Sequence, residues 1–352
     1  MKVIKFSGLI LLLIGLLMAC EEEDPRTVDF VERDRTEQQA ADKDSILQYL
    51  STHYYNSGFF QQGTNYTYED IEIAELPVDE NGNYLDLPDP ANNTLLLNAV
   101  ETYTSVFRDT EYEYYILRIN QGGGESPQFT DAIRYRFEGT VIESQIVFQS
   151  ISSPDILDLQ SDGFSTLGAI RGWQLVIPSF QTSEDFTTGI DGVVNFNNYG
   201  LGVMFLPSGL AYFSGALPDL PQYSNLIFKF ELLQYQEVDH ESDGLPSYVE
   251  DLDANLSVID DDTDGDGIAN YIDGNDDGDS VLTFNELLPT QYIVDTTIGE
   301  TEPELASNEY ELNRTTVNGI ITINTVTAVD SNDDGLPDYL DPEIEINYNE
   351  GQ

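Results

Sequence analysis

The chain has one cysteine, one tryptophan, two histidines and only 13 lysines and arginines in 352 residues. The lone thiol, Cys20, closes no intramolecular disulfide. With His53 and His240 the only imidazoles, a Ser–His–Asp or Cys–His nucleophile has little to be built from, which argues against hydrolase chemistry of that kind. Against 65 acidic residues the shortage of basic ones leaves a formal net charge of −52, a charge that disfavours nucleic acid and anionic membrane surfaces as partners. The apolar run Phe6 to Met18 is too short for a comfortable membrane span. Hydrophobic residues still make up 40% of the chain, enough for one or two cores with appendages.

Lys2 and Lys5 precede that apolar run, and Leu17-Met-Ala-Cys20 places small residues before the cysteine. The arrangement resembles a bacterial lipobox, which implies a signal peptide over 1–19, lipidation of Cys20 and attachment of the chain to the outer membrane of a bacterial cell envelope. An ordinary signal peptide or signal anchor is the alternative. Any membrane contact would then come from acyl chains and not from a basic face. Glu21-Glu-Glu-Asp24 reads as part of a solvated tether over 20–35. It also resembles the acidic signal of surface-exported lipoproteins in Bacteroidetes-type bacteria, so both the periplasmic face and the cell surface stay open.

Residues 36–110 read as an N-terminal helix and an extension. Thr36 and Gln39 have capping-box spacing, and Ile46, Leu47, Leu50 and Tyr54 recur on one helical face. His53, near the helix end with no second His, Cys or acidic cluster beside it, reads as structural or exposed and not as a ligand. Ala99 to Phe107 fits either strand or helix in an irregular stretch. Glu111 to Ile119 alternates as a strand does, and Gly122-Gly-Gly124 then reads as a loop, since no Lys-Ser/Thr or helix start follows it.

Within residues 111–236 lie Ala132 to Gly139, Val147 to Ser150, Ile170 to Trp173, Phe205 to Tyr212 and Asn225 to Leu233: short alternating strands and one apolar helical turn, able to line a small aromatic cavity. Phe228, Phe230 and Leu232 share one strand face while Lys229 and Glu231 share the other, which predicts an antiparallel sheet covered on one side. From Tyr112 to Tyr235 this stretch resembles the FKBP-type peptidyl-prolyl isomerases. The resemblance implies an α+β fold, an antiparallel sheet wrapped around a short helix. It implies a pocket of Phe137, Phe148, Phe164, Ala169, Ile170, Trp173, Tyr212, Leu220 and Phe228, with Gln149 beside it. Trp173 would be the floor under a proline ring and Phe148 and Phe228 the walls, while Tyr212 and the Ile170 N–H would donate to a substrate carbonyl. No catalytic cofactor is implied.

Departures accompany the resemblance. Gln149 stands where the family has aspartate, Phe137 where it has tyrosine, and Phe213 where it has glycine. Pro178 predicts a shortened or kinked helix. The implied function is cis–trans isomerisation of X–Pro bonds in exported polypeptides. A catalytically weak peptide-binding or chaperone module and a structural cell-surface protein are the alternatives.

Residues 237–352 are different in kind. Asp239 to Glu286 holds 16 acidic residues and no lysine or arginine. Asp262, Asp264, Asp266 and Asp273, with Gly267, have the spacing of an EF-hand loop and resemble the calcium repeats of thrombospondin-type proteins. Three further windows follow the template: Asn275, Asp277, Asp279, Thr283 and Glu286; Asp330, Asn332, Asp334, Asp338 and Asp341; and Asp239, Glu241, Asp243, Ser247 and Glu250. Calcium is the structural cofactor this predicts. In such loops the second residue, His240 in the first, usually faces away from the ion. Ala269 to Ile272 and Pro337 to Leu340 read as single helical turns packing on each other, and Asn318-Gly319 predicts a hairpin.

Overall fold

The computed structural model describes residues 31–61, 63–160 and 169–350. Cys20, the signal segment and Phe164 lie outside the described residues. The first long element is α1 (Arg35–Thr52), which buries Ile46, Tyr49 and Leu50. It starts before Thr36, so that residue does not cap it. The first turn is held instead by Arg35, whose guanidinium reaches the Tyr112 hydroxyl (3.2 Å) and lies over the Phe213 ring (4.0 Å). Tyr54 is not on the helix. It belongs to β1 (His53–Tyr55), the middle strand of a small sheet with β2 (Ile73–Glu75) and β3 (Thr94–Leu95).

The main sheet is built from β4 (Glu101–Phe107), β5 (Thr110–Asn120), β6 (Ala132–Val141) and β7 (Val147–Asp158). After α2 (Arg171–Val176) and the hairpin β8 (Asp185–Thr188) and β9 (Val194–Asn197) come its last two strands, β10 (Gly200–Leu206) and β11 (Leu226–Gln236). The strand order is β4-β5-β10-β11-β6-β7, antiparallel at every pairing. The ambiguous stretch at 99–107 thus enters the sheet as β4. Its turn is made by Arg108 and Asp109 at φ 49° and 59°, a left-handed pair without the Asn-Gly signature.

One face of the sheet packs around α2, with Ile133, Tyr135, Phe137, Phe228, Phe230 and Leu232 against Trp173, Val176 and Ile177. Pro178 sits in the tighter turn Ile177–Ser179 that ends the helix after 6 residues. The other face is not open to solvent, contrary to the one-sided covering the alternation predicts. Tyr115, Leu117, Val203, Phe205 and Ile227 pack there against α1 and the small sheet. Glu231 tolerates burial on that face because Arg136 pairs with it (2.5 Å) and the Tyr68 N–H donates to it (2.9 Å).

After β11 the chain forms acidic loops, a four-residue helix α3 (Thr283–Glu286) and a second sheet of β12 (Leu287–Asp295), β13 (Glu309–Val317) and β14 (Ile320–Ala328), ordered β12-β14-β13. Asn318 and Gly319, at φ 52° and 81°, turn the predicted hairpin. The single turns are present at Asn270–Ile272 and Asp338–Leu340, and each has its main contacts with another partner. The first packs on the turn Ser247–Glu250 and the second on α3, because loops 239–250 and 262–273, and loops 275–286 and 330–341, are the spatial neighbours. Among the described residues no helix is long and apolar enough to cross a membrane.

Candidate functional site

The indole of Trp173, 4% exposed, is ringed by aromatic edges. Tyr135, Phe137, Phe228 and Phe230 have ring centroids 5.4, 5.6, 5.3 and 5.7 Å from it, all tilted steeply to its plane. Edge-to-face contacts of this kind add to the burial of the rings and fix the indole's orientation. Above Phe228 lies Phe148 (5.7 Å, 83°), which also meets Tyr212 (6.4 Å, 86°). Ala169 and Ile170 pack on the same cluster, as does Leu220. The structure therefore brings together Phe137, Phe148, Ala169, Ile170, Trp173, Tyr212, Leu220 and Phe228.

Phe148 reaches this position through the backbone. In the pairing of β6 with β7, Gly139 faces Gln149 and Thr140 faces Val147, leaving Phe148 as the extra residue of a bulge. Bulges re-aim side chains, and this one lays the ring over Gly139. A methyl group at Gly139 would stand 2.7 Å from Phe148 Cζ and 3.0 Å from Phe228 Cε1, so only glycine leaves that room. Gln149 itself is exposed on the edge strand. Burial alone pushes the Tyr212 phenol above its ordinary pKa, so it stays protonated and keeps a hydrogen to donate. Phe213 occupies a left-handed conformation, φ 47°, which explains why glycine would suit the position. Its ring is held between Arg35 and Tyr223.

Tyr135 and Phe230 complete the ring of aromatics beyond the pocket residues that the family resemblance implies. The signal was present in the alternation Ile133, Tyr135, Phe137 and Phe228, Phe230, Leu232. Arg171 begins α2 two residues before Trp173. Its guanidinium donates to the carbonyls of Leu256 and Asn255 (3.3 Å to the latter), so the helix under the aromatic cluster is tied to an acidic loop.

The acidic loops share one internal geometry. In each of the four, the side chain of the ninth residue accepts the backbone N–H of the second: Ser247 from His240 (3.1 Å), Asn270 from Thr263 (3.0 Å), Thr283 from Asp276 (3.1 Å) and Asp338 from Ser331 (2.7 Å). Gly244, Gly267 and Gly335 have φ near 100°, turning the chain at the sixth position. Carboxylate oxygens then converge within 4.8 Å of one another in Asp239, Glu241 and Asp243; in Asp262, Asp264 and Asp266; and in Asp277, Asp279 and Glu286. Asp273 stands near the second of these, and its carboxyl is pushed up by burial and then by Asp266 and Asp264. Asn275 offers a buried, partnerless Oδ1.

The loop at 330–341 behaves differently. Its Asn332 amide donates to Asp334 (3.1 Å) and Asp341 (3.0 Å), and Asp338 also accepts the Tyr348 hydroxyl, so hydrogen bonds stand where three carboxylates would otherwise meet. Asp330 accepts from the Asp334 and Gly335 N–H groups.

A fifth loop escaped the sequence. Asp251, Asp253 and Asp261 converge, with the Asp251 carboxylate accepting from Asn255 (3.0 Å) and Leu256 (2.8 Å). The Asp-x-Asp-x-Asn spacing was visible, but Leu256 at φ 62° takes the place of the sixth-position glycine.

These loops fit a hard divalent cation. Glu286, 1% exposed, has no hydrogen-bond partner for either oxygen. Burial, then Asp277 and Asp279, push its carboxyl up to about 9. Burial, then Asp243, push the Glu241 carboxyl well above the ordinary carboxylate range. Carboxylates arranged this way are unstable as bare anions and suited to a metal ion that takes six to eight oxygens.

The family model described as BamM C-terminal matches residues 240–318. The FKBP-type peptidyl-prolyl cis-trans isomerase FkpA of Escherichia coli (strain K12) is 26% identical over 115 residues, 33% of this chain and 35% of that protein. The chain thus matches about a third of the length of that curated relative. Among solved structures, a peptidyl-prolyl cis-trans isomerase of Pseudomonas syringae pv. tomato aligns with a TM-score of 0.28 at 16% identity, over 40% of this chain and 82% of that one. FkpA from Escherichia coli aligns with a TM-score of 0.27 at 22% identity, over 35% and 48%. Over about a third of its length, then, the chain is similar to FKBP-type peptidyl-prolyl cis-trans isomerases.

Proposed function

We propose that this chain is a peptidyl-prolyl cis–trans isomerase of the bacterial cell envelope, anchored through a lipid on Cys20, acting on X–Pro bonds of exported polypeptides and stabilised by calcium in its acidic loops. The observation that carries the catalytic reading is the aromatic cluster: an immobilised indole at the floor, with Phe148 and Tyr212 half-buried at its rim. Rotation about an X–Pro bond faces a barrier of about 20 kcal/mol, and the twisted amide has lost its resonance and much of its polarity. An apolar site favours that state because the planar amide gives up more hydration on entering. Trp173 holds the proline ring, Phe148 and Phe228 flank it, and the Tyr212 hydroxyl donates to a substrate carbonyl. Residues of this chain supply all of these roles without a nucleophile.

The test is the rate of cis-to-trans isomerisation of an X–Pro peptide by the full chain in detergent. Acceleration that disappears in Trp173→Ala supports the proposal, and a folded chain that gives no acceleration rejects it. A second reading has its own support. Gln149 is exposed and uncharged and Phe137 has no hydroxyl, so the rim lacks two polar groups that the family resemblance implies. A module that binds prolyl segments without turnover would keep peptide affinity in the wild type and lose it in Trp173→Ala.

A further inference from the structure

Three carboxylates meet in the interior between loops 239–250 and 275–286. Asp243, Glu250 and Asp276 are 3, 0 and 1% exposed, and an oxygen of each lies within 4.8 Å of the other two. Both oxygens of Glu250, both of Asp276 and Oδ2 of Asp243 have no hydrogen-bond partner. Asp276 is out of place by the logic of its own loop. It is the second residue there, a position held by His240, Thr263 and Ser331 in the other loops. Its backbone N–H serves its own loop through Thr283, while its side chain is directed to the neighbouring one.

We propose that Asp276 is a ligand lent across loops, so that Asp243, Glu250 and Asp276 hold a buried divalent cation that cross-links loop 239–250 to loop 275–286. The inference rests on the reading that the acidic loops hold calcium, and adds a site that no single loop contains. Three ionised carboxylates in a water-poor interior cost several kcal/mol each unless countercharge and ligand bonds compensate. Oxygens bound to one cation at about 2.3 to 2.6 Å lie no more than about 4.6 to 5.2 Å apart, and the three here all lie within 4.8 Å of one another. The donor set is all oxygen, with no thiolate or imidazole, and selects calcium over zinc. Asp243 also belongs to the triad with Asp239 and Glu241, which places the shared cation beside the loop's own.

The experiment is a calorimetric calcium titration of the full chain in detergent, with thermal melts in calcium and in chelator, for wild type, Asp276→Asn and Glu250→Gln. The cross-loop site predicts that Asp276→Asn weakens one calcium step by about tenfold or more. It also predicts that Asp276→Asn melts below wild type in calcium but above it in chelator, where the buried charge is only a liability. Glu250→Gln loses the same step, and the double variant loses no more than the larger single one. A calcium titration of Asp276→Asn identical to wild type, with melting displaced in the same direction in both buffers, overturns the cross-loop ligand while leaving calcium in the loops intact. A wild type with no calcium heat and no calcium-dependent melting overturns the calcium reading itself, and this proposal with it.

Discussion

The buried indole of Trp173 meets four aromatic edges, whereas both carboxylate oxygens of Glu250 and both of Glu286 are buried without a hydrogen-bond partner. The first region is a packed aromatic core with Phe148 and Tyr212 half-buried at its rim. The second is a set of buried carboxylates whose charge a divalent cation would balance. A packed aromatic core loses stability when a ring is removed, while an orphaned carboxylate cluster loses it when its ligand is removed. The two regions should therefore respond to opposite perturbations.

Calcium removal should have the largest effect. At a hundredfold excess over Kd a filled site contributes about 2.7 kcal/mol, so four sites amount to on the order of 10 kcal/mol. Scanning calorimetry in calcium and in chelator should show the acidic half melting far earlier without calcium. Coincident curves would erase the contrast.

Next is Trp173→Ala. Loss of a fully packed indole costs about 3 to 5 kcal/mol and should abolish isomerisation in the peptide assay, while leaving the calcium titration unchanged. A loss of calcium binding in this variant would mean that the two regions are one unit, joined through the Arg171 contact with Leu256 and Asn255.

The response to pH is a subtler discriminator. Asp276 is pushed up to about 9, first by burial and then by Asp243, and Glu286 likewise to about 9. Their folded pKa values exceed the ordinary ones near 4, so the stability they confer is present when they are protonated and is lost as pH rises toward about 9. Chelated protein should grow less stable from about pH 5 to about pH 9, and calcium should protect most at the upper end, where protons no longer compete for its ligands. Urea melts at several pH values, in both buffers, test this. A chelated protein equally stable across that range would contradict it.

The smallest change is Gln149→Asp. At an exposed edge position it should move stability by less than about 0.5 kcal/mol. If the missing acid limits catalysis, kcat/KM rises. An unchanged kcat/KM would locate the limit elsewhere in the rim, with Phe137 the next residue to replace.

What could be read from the chain follows how local each signal is. Alternation along Phe228, Phe230 and Leu232, the Asn318-Gly319 turn and the spacing of carboxylates within a loop all lie inside about a dozen residues, and the structure shows the strand, the turn and converging carboxylates in three of the four loops. The covering of the sheet's second face by α1, the bulge that aims Phe148 and the turn of Asp276 toward a neighbouring loop depend on partners distant in sequence. Leu256 shows a second kind of loss, in which a left-handed turn is held by tertiary contacts and carries no glycine to announce it. Arg171 combines both, since nothing near it in sequence points to the carbonyls it binds more than eighty residues away.

The central claim is that the aromatic cluster turns over prolyl bonds, and its most direct test is the isomerisation rate of an X–Pro peptide with wild type and Trp173→Ala side by side, both saturated with calcium. The account predicts acceleration by the wild type and only the uncatalysed rate with the variant. An uncatalysed rate with a folded, calcium-loaded wild type, or undiminished acceleration by Trp173→Ala, would contradict it.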